Sequence, residues 1–341
     1  MQRISQEQIA KELNISRATV SRALSNSGLV TEETKKQVME MAEKLDYRPN
    51  IAAQELAKKR KNKVAVFYLK IWRSSFVNDL LKGIEDALEE YKAFEVDVVF
   101  YGMESDNQDI LSEVQDYIRE QQIDGLILMS GYKNDKKKLQ RFADFIKKSG
   151  IKVVTVDIDI LENERICFVG EEYKNCGRIV ADLFNKLTIF GRGRHNMAVI
   201  VPESRYESSE LRMEGFLDVI NDCYNIHIYR IQKVRDSYEE VAHILEENPE
   251  IECIFSSIDT STVAKALEKN KKHGRVLIGC DITDEIKAYI RSGWITFVVL
   301  AAAYEQGYKA MNLLLDNLLM KISPKCEREI LGFSILTKEN I

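Results

Sequence analysis

ISQEQIAKELNISRATVSRALS, residues 4–25, holds two helical patterns parted by a short break. Ser5 followed by Gln8 makes an S-x-x-Q capping box. Ile9, Ala10 and Leu13 form one apolar stripe, and Asn14-Ile15-Ser16 interrupts it. Ser16 can cap a second helix, on which Val20 and Leu24 stand four apart. Two short helices joined by about three residues read as a helix-turn-helix. Ser27-Gly28 breaks the chain again, and Thr31, Glu32 and Glu33 open a third helix with acids at its positive end. Val38, Met41, Ala42 and Leu45 follow the i, i+3, i+4, i+7 spacing. Tyr47-Arg48-Pro49-Asn50 ends that helix, because a residue before proline avoids the helical region.

The second helix has the chemistry of a groove reader. Its outward side chains are short hydroxyls and two arginines, Arg17 and Arg22. Short side chains let a helix enter the major groove, where arginine can pair bidentately with guanine. Hydroxyls near helix N-termini suit phosphate oxygens. On pattern alone, an ordinary three-helix bundle with a solvated polar face stays open.

Charge supports the first reading. The whole chain of 341 residues carries a net charge of −5. Residues 1–62 nevertheless hold 12 Lys and Arg against 8 Asp and Glu, a net of +4. The rest holds 37 against 46, a net of −9. The basic excess peaks in Lys58-Lys59-Arg60-Lys61, just after the small-residue octad Asn50–Ala57. Such an asymmetry, with the basic residues at one end, fits contact with nucleic acid.

IAKELNISRATVSRALS, followed by VTEETKKQVMEMAEKLDYRPNIAAQELA, resembles the headpiece and hinge of LacI/GalR-family transcription regulators. The resemblance covers residues 4–57, and A-T-V-S-R and Y-R-P-N are its most specific pieces. It implies base reading by Arg17 and Ala18, and groove or backbone contacts by Thr19, Ser21 and Arg22. It further implies DNA contacts at Ser5, Ser16, Thr31, Thr34, Asn50 and Ala53. Leu56 falls on the hinge leucine that such proteins wedge into the minor groove. One departure is Ser25, where the family often has asparagine.

From Val64 onward, apolar β-rich runs alternate with helical stretches. The runs are 64–69, 96–102, 125–130, 152–158, 166–170, 197–202, 227–232, 251–257, 275–281 and 295–300, with a last one at 330–336. That alternation predicts an α/β fold of doubly wound parallel sheets. Ten or so strands predict two sheets, with a break near Asn163-Glu164-Arg165. No phosphate-binding glycine motif, nucleophile elbow or zinc-helix motif occurs, so no enzyme chemistry has a candidate set and no catalytic residue, cofactor or metal is expected. Gly191-Arg192-Gly193 follows a helix and precedes a strand, the reverse of the phosphate-binding order, and reads as a turn. Six scattered cysteines read as core thiols.

Ligands of open α/β sheets bind beyond the carboxyl ends of strands. Trp72 and Phe76 follow the first strand, Asp157 ends the fourth, Asp259 and Asp281 end or follow two later ones, and Arg212 lies on a helix. Carboxylates, an arginine and an aromatic plate suit a polyhydroxylated ligand. The resemblance continues through IDGLILM, VVTVDID, CFVGEEYKNCGRIVADL, RMEGF and IGCDIT. It implies a two-lobed domain similar to periplasmic sugar-binding proteins, with Asp157, Arg212 and Asp281 touching the effector. The usual Asn-Asp before one helix is Ile258-Asp259 here, and a glutamine that often ends the second lobe crossing is absent at Ala301.

The expected organisation is a helix-turn-helix headpiece over 1–48, a hinge helix and linker over 49–62, and an effector-binding and dimerisation domain over 63–341. Lobe 1 is expected at about 63–165 and 295–323, and lobe 2 at about 166–292 and 325–341. The expected function is a ligand-controlled regulator, in its family's common mode a repressor. Its partners would be a pseudo-palindromic double-stranded DNA operator, a small sugar or polyol, and a second copy in a homodimer. No run is long and apolar enough for a membrane span and the N-terminus shows no secretory signal, which points to the cytoplasm. The alternative is a solute-binding receptor without a regulatory role.

Overall fold

Strands buried on both faces organise most of the chain in the computed structural model. It describes residues 5–24, 30–45, 47, 61–70, 75–104, 109–131, 135–189, 194–203, 206–234 and 238–341. The chain divides into two units, Met1–Lys59 and Arg60–Ile341. The turn expected at Ser27-Gly28, nearly all of the hinge with Asn50, Ala53 and Leu56, the candidate aromatic Trp72, and Gly191–Gly193 lie outside the described residues.

In the first unit, three helices α1 (Gln6–Leu13), α2 (Arg17–Leu24) and α3 (Glu32–Lys44) enclose a core of Ile9, Ala10, Val20, Ala23, Val38 and Ala42. Each starts on the hydroxyl its sequence offers. Ser5 Oγ accepts from the Gln8 N–H at 3.3 Å while the Ser5 N–H donates to Gln8 Oε1 at 2.7 Å, completing the capping box. Ser16 Oγ accepts from the Thr19 N–H at 3.0 Å, and Thr31 Oγ1 from the Thr34 N–H at 3.3 Å. Asn14, at φ 52°, ends α1 in the left-handed conformation that asparagine tolerates.

The second unit is two six-stranded sheets. The first contains β1 (Lys63–Lys70), β2 (Asp97–Glu104), β3 (Gly125–Met129), β4 (Lys152–Val156), β5 (Cys167–Glu171) and β11 (Arg328–Leu331), in the order β11-β5-β4-β3-β1-β2. The second contains β6 (His195–Pro202), β7 (Ile226–Val234), β8 (Ile251–Ser256), β9 (Val276–Gly279), β10 (Phe297–Leu300) and β12 (Ser334–Leu336), in the order β12-β10-β9-β8-β6-β7. All pairs are parallel except β10 with β12. Alternate side chains separate the two faces. Val64, Val66, Ile127 and Val154 pack against α4 (Ser75–Glu90) and α12 (Ala303–Met320), whereas Ala65, Phe67, Leu126 and Val153 pack against α5 (Ile110–Gln121) and α6 (Lys136–Ser149). The second sheet is clad likewise, by α7 (Tyr173–Thr188) and α8 (Glu207–Ile220) on one face and by α9 (Tyr238–Glu247), α10 (Thr260–Lys269) and α11 (Asp284–Arg291) on the other. This is the doubly wound pattern expected from the alternation of apolar runs and helices.

The lobe boundaries differ from those expected. The first crossing lies after Glu171, not at 163–165, because Cys167, Phe168 and Val169 pair with Val154, Thr155 and Val156 of the first sheet. The run at 295–300 belongs to the second sheet, where Phe297 pairs with Ile278. The last run splits at Gly332-Phe333, sending β11 to the first sheet and β12 to the second. A run apolar on both faces can extend either sheet, so pattern alone does not assign it. Cys326, expected in a core, is exposed.

Each lobe is braced by a helix pair in backbone contact at facing glycines. A Cβ on Gly177 would lie 1.9 Å from the Arg212 carbonyl oxygen, and one on Gly215 would lie 1.8 Å from that of Lys174. Gly83 and Gly307 do the same for α4 and α12, at 2.0 Å from the Tyr304 and Leu80 carbonyls. Gly177→Ala is therefore expected to destabilise the protein by ~1–3 kcal/mol or more, since neither backbone can yield cheaply. Gly332, with nothing within 4 Å of an added Cβ, serves as the near-neutral control. Urea unfolding of the two alanine variants checks the contrast.

Candidate DNA-reading helix and effector site

On α2 the expected base readers stand outward. Arg17, Ala18, Ser21 and Arg22 are exposed, as is Ser16 at the cap, while Val20 and Ala23 turn into the core. Thr19 is half-buried, its hydroxyl 2.8 Å from that of Ser16. Ser5 and Thr31 are exposed caps, and the hydroxyl of half-buried Thr34 lies 2.9 Å from that of Thr31. The exposed face thus combines two cations with small side chains, and three helix N-termini carry hydroxyls.

In the second unit the site is built where the chain passes between lobes. Asp157, one residue beyond β4, is 6% exposed and has φ 69°. Its backbone N–H donates to Gln306 Oε1 at 3.1 Å, and its carboxylate accepts from the Tyr173 hydroxyl at 2.5 Å. Tyr173 opens α7 of the second lobe, so this bond joins the two lobes. The Arg212 guanidinium, on α8, lies 5.0 Å from the Tyr173 ring centre, a cation–π distance. Its Nε is buried and has no hydrogen-bond partner. Glu171, the last residue of β5, accepts from the Ala302 N–H at 2.6 Å and from the Gln306 carboxamide. Glu171 therefore ties the first crossing to the second, and the Tyr173 and Phe333 rings, 6.3 Å apart, bring in the third.

Burial pushes the carboxyls of Asp157 and Asp281 up to about 6, with Arg212 opposing in both cases. The Tyr173 hydrogen bond also holds Asp157 down, while Asp259 pushes Asp281 further up. Burial likewise raises Glu171 to about 7 against its two hydrogen bonds. Asp157 and Asp281 thus each lie within electrostatic reach of Arg212. Asp259 is the N-cap of α10, its Oδ1 accepting from the Ser261 N–H and hydroxyl at 3.0 and 2.8 Å, so that oxygen is committed to the helix. Phe76 packs half-buried on the first lobe's core.

Tyr173, Glu171 and Gln306 were not anticipated. Glu171 had a signal, an acid ending a wholly apolar strand, and Gln306 had one in lying on the buried stripe of Ala303, Gly307 and Ala310. Tyr173 had none, since an aromatic opening a helix reads as core.

Residues 7–50 match the family described as bacterial regulatory proteins, lacI family, and residues 66–321 match the periplasmic binding protein domain. The chain belongs to the lacI family. It is 30% identical over 234 residues to "Probable HTH-type transcriptional repressor ExuR" of Bacillus subtilis, covering 68% of this chain and 64% of that one. It is 25% identical to the transcriptional regulator RegA of Clostridium saccharobutylicum over 91% of each chain. It is 34% identical to catabolite control protein A of Priestia megaterium over 43% of this chain and 41% of that one. The match to ExuR thus spans just under two thirds of that relative. Among solved structures, the glucose-galactose binding protein GanP of Geobacillus stearothermophilus superposes with TM-score 0.67 at 22% identity, over 83% of this lacI-family chain and 99% of its own. A carbohydrate transporter solute binding protein of Agrobacterium radiobacter does so at 0.70 and 18%, over 83% and 96%. Both share the two-lobed fold. No described helix of the lacI-family chain is long and apolar enough to cross a membrane.

The buried acids give the lacI-family protein a pH signature. Asp157, Asp281 and Glu171 titrate above their unfolded values, so the folded state binds more protons between about pH 4 and 7. Stability from these groups is present in full below about pH 4 and is lost as pH rises through about 6 to 7. Acidifying the full chain from pH 8 to 5.5 is expected to raise its unfolding free energy by on the order of 1 kcal/mol per group, and Asp157→Asn should remove one share. Urea titrations at four pH values measure this, and a steady fall across the window contradicts it.

Proposed function

We propose that this chain is a sequence-specific DNA-binding transcription regulator, acting as a repressor, whose operator affinity responds to a small sugar-like effector held between its lobes. The observation that carries the reading is a groove-reading helix with outward Arg17, Ala18, Ser21 and Arg22, in one chain with a lobe-spanning polar site. Arg17 and Ala18 select bases, whereas Ser5, Ser16, Thr19, Ser21, Arg22, Thr31 and Thr34 hold phosphates and set register. Asn50, Ala53 and the Leu56 wedge complete the contact set at the hinge.

The effector touches Asp157, Arg212 and Asp281, with Asp259 lending charge and Phe76 and Trp72 an apolar wall. The acids outnumber the one arginine, which favours a neutral polyhydroxylated ligand over an anion. Two copies forming a cytoplasmic homodimer read the halves of a pseudo-palindrome. A solute-binding receptor would use the same lobes but has no use for a headpiece.

Selection from a random duplex library, followed by anisotropy titration with and without a panel of sugars and polyols, tests the whole reading. Arg17→Ala is expected to cost ~1–3 kcal/mol on the selected operator and to relax one base position. Unchanged base preference would sink the assignment. Arg212→Ala is expected to bring the ratio of operator affinities with and without the active compound close to one. A ratio that stays at the wild-type value removes Arg212 from the effector site.

A further inference from the structure

A second lobe-spanning hydrogen bond lies away from the crossings, and it has no part in the reading above. The Glu207 backbone N–H donates to the Gly131 carbonyl at 3.0 Å. Gly131 follows β3 of the first lobe by two residues, and Glu207 opens α8 of the second. Side chains flank the bond. A Cβ on Gly131 would lie 2.4 Å from Leu69 Cδ1 and 3.7 Å from Tyr206 Cδ1. The bare glycine backbone thus sits between a side chain of its own lobe and a ring of the other. Gly131 is buried, and Tyr206 and Glu207 are half-buried.

Strand order places this bond relative to the site. In the first sheet the order β11-β5-β4-β3 runs from the crossings, past Asp157 after β4, to Gly131 after β3. In the second sheet the order β12-β10-β9-β8-β6 runs from the crossings, past Asp281 after β9, to the strand that feeds α8. Both sheets set the buried acids between the crossings and the Gly131–Glu207 bond. Neighbouring strands lie ~4.8 Å apart, so the end of β3 stands two spacings, ~10 Å, from the end of β5 where the first crossing begins. Glu207 is near enough to Asp157 for its charge to push that carboxyl up.

The bond has the properties of a catch rather than a brace. Glu207 is the first residue of α8, and the first amides of a helix have no partner inside it. The helix therefore loses no internal bond by lending this donor across the cleft. Both groups are backbone, so the bond asks nothing of a ligand. When the lobes part, each group can take a water instead. The net worth of such an exchange is small, so the catch can open without unfolding either lobe.

We propose that the Gly131 carbonyl and the Glu207 N–H form a catch across the mouth of the effector site, and that a ligand enters and leaves when it opens. The crossings tie the lobes covalently on one side of the buried acids, and the catch ties them reversibly on the other. The proposal rests on the regulatory reading for the place of the site alone. The catch itself belongs to the lobes and holds them together with the chain's own atoms.

The test uses the full chain with neither DNA nor sugar added. Hydrogen exchange is resolved to single amides by electron-transfer fragmentation in the mass spectrometer. After correction for intrinsic rates, the Glu207 amide is expected to exchange at least about tenfold more slowly than that of Asp284, an exposed residue that opens α11 at the same helical position. Glu207→Pro removes the donor at the helix position that accepts proline. Tyr206, at φ −73° and ψ 130°, already has the extended backbone that precedes a proline. Glu207→Ala removes the carboxylate and keeps the N–H. Small-angle X-ray scattering is expected to give the proline variant a larger radius of gyration than the wild type, and the alanine variant the wild-type value. A Glu207 amide that exchanges as fast as that of Asp284 overturns the proposal, as does a folded proline variant that scatters like the wild type. If the proline variant misfolds, the wild-type amide decides. Loss of the catch leaves DNA reading and sugar binding standing, so its failure is distinct from failure of the regulatory reading.

Discussion

One hydrogen bond, from the Tyr173 hydroxyl to the Asp157 carboxylate at 2.5 Å, holds the place where the two lobes meet. Burying an aspartate is costly unless its charge finds donors or a cation. Here the donor comes from the opposite lobe, and Arg212 faces the same tyrosine ring. Gln306 secures the backbone of Asp157 and, through Glu171, fastens one crossing to the next. Each group in the chain has its position set by the one before it. The polar site and the lobe junction are therefore a single network.

That network needs stiff supports, and the glycine-paired helices supply them. In each lobe two helices approach until backbone meets backbone, at Gly83 with Gly307 and at Gly177 with Gly215. Any side chain at these four positions would wedge the helices apart. In the second lobe the contact reaches the carbonyl of Arg212 itself, so the arginine is placed by main-chain packing rather than by its own polar contacts. The chain passes between the lobes at three short crossings, at Glu172, at Ala301-Ala302 and at Gly332-Phe333.

The sequence was legible where a pattern has one structural solution. Capped helices with stripes such as Val38 and Ala42 gave the first unit, and apolar runs alternating with helices gave the two sheets. Asp157 and Asp281 stand directly after strands and Arg212 on α8, and those positions in the chain marked them as candidates before any geometry was in hand. Membership of β5 and β10 was not legible, because a strand apolar on both faces carries no mark of its neighbour, and β11 is a short, half-charged edge strand that runs on into β12 after Gly332-Phe333. The role of Tyr173 was also hidden. Its ring packs like any core aromatic, and only the placement of Asp157 turns the hydroxyl into a lobe-spanning donor. Asp259, expected at the site, instead caps α10 through two bonds from Ser261 to its Oδ1.

A ligand acts on such a protein only through its difference in affinity for two lobe arrangements. A sugar hydroxyl that takes the place of Tyr173 on Asp157 Oδ1 exchanges one hydrogen bond for another. The buried Nε of Arg212 is different, because it has no partner to lose. A buried donor left unsatisfied costs ~1–3 kcal/mol, which a ligand acceptor would offset against the desolvation of its own oxygen. Typical coupling between two sites is also ~1–3 kcal/mol. The unsatisfied donor is thus of the right size to drive a response, and it sits on the lobe that Asp157 does not belong to. A ligand that accepts from Arg212 while displacing Tyr173 from Asp157 would transfer the lobe-spanning bond from the protein to itself. The response would then depend on whether that ligand bridges the lobes at the same separation as the tyrosine does.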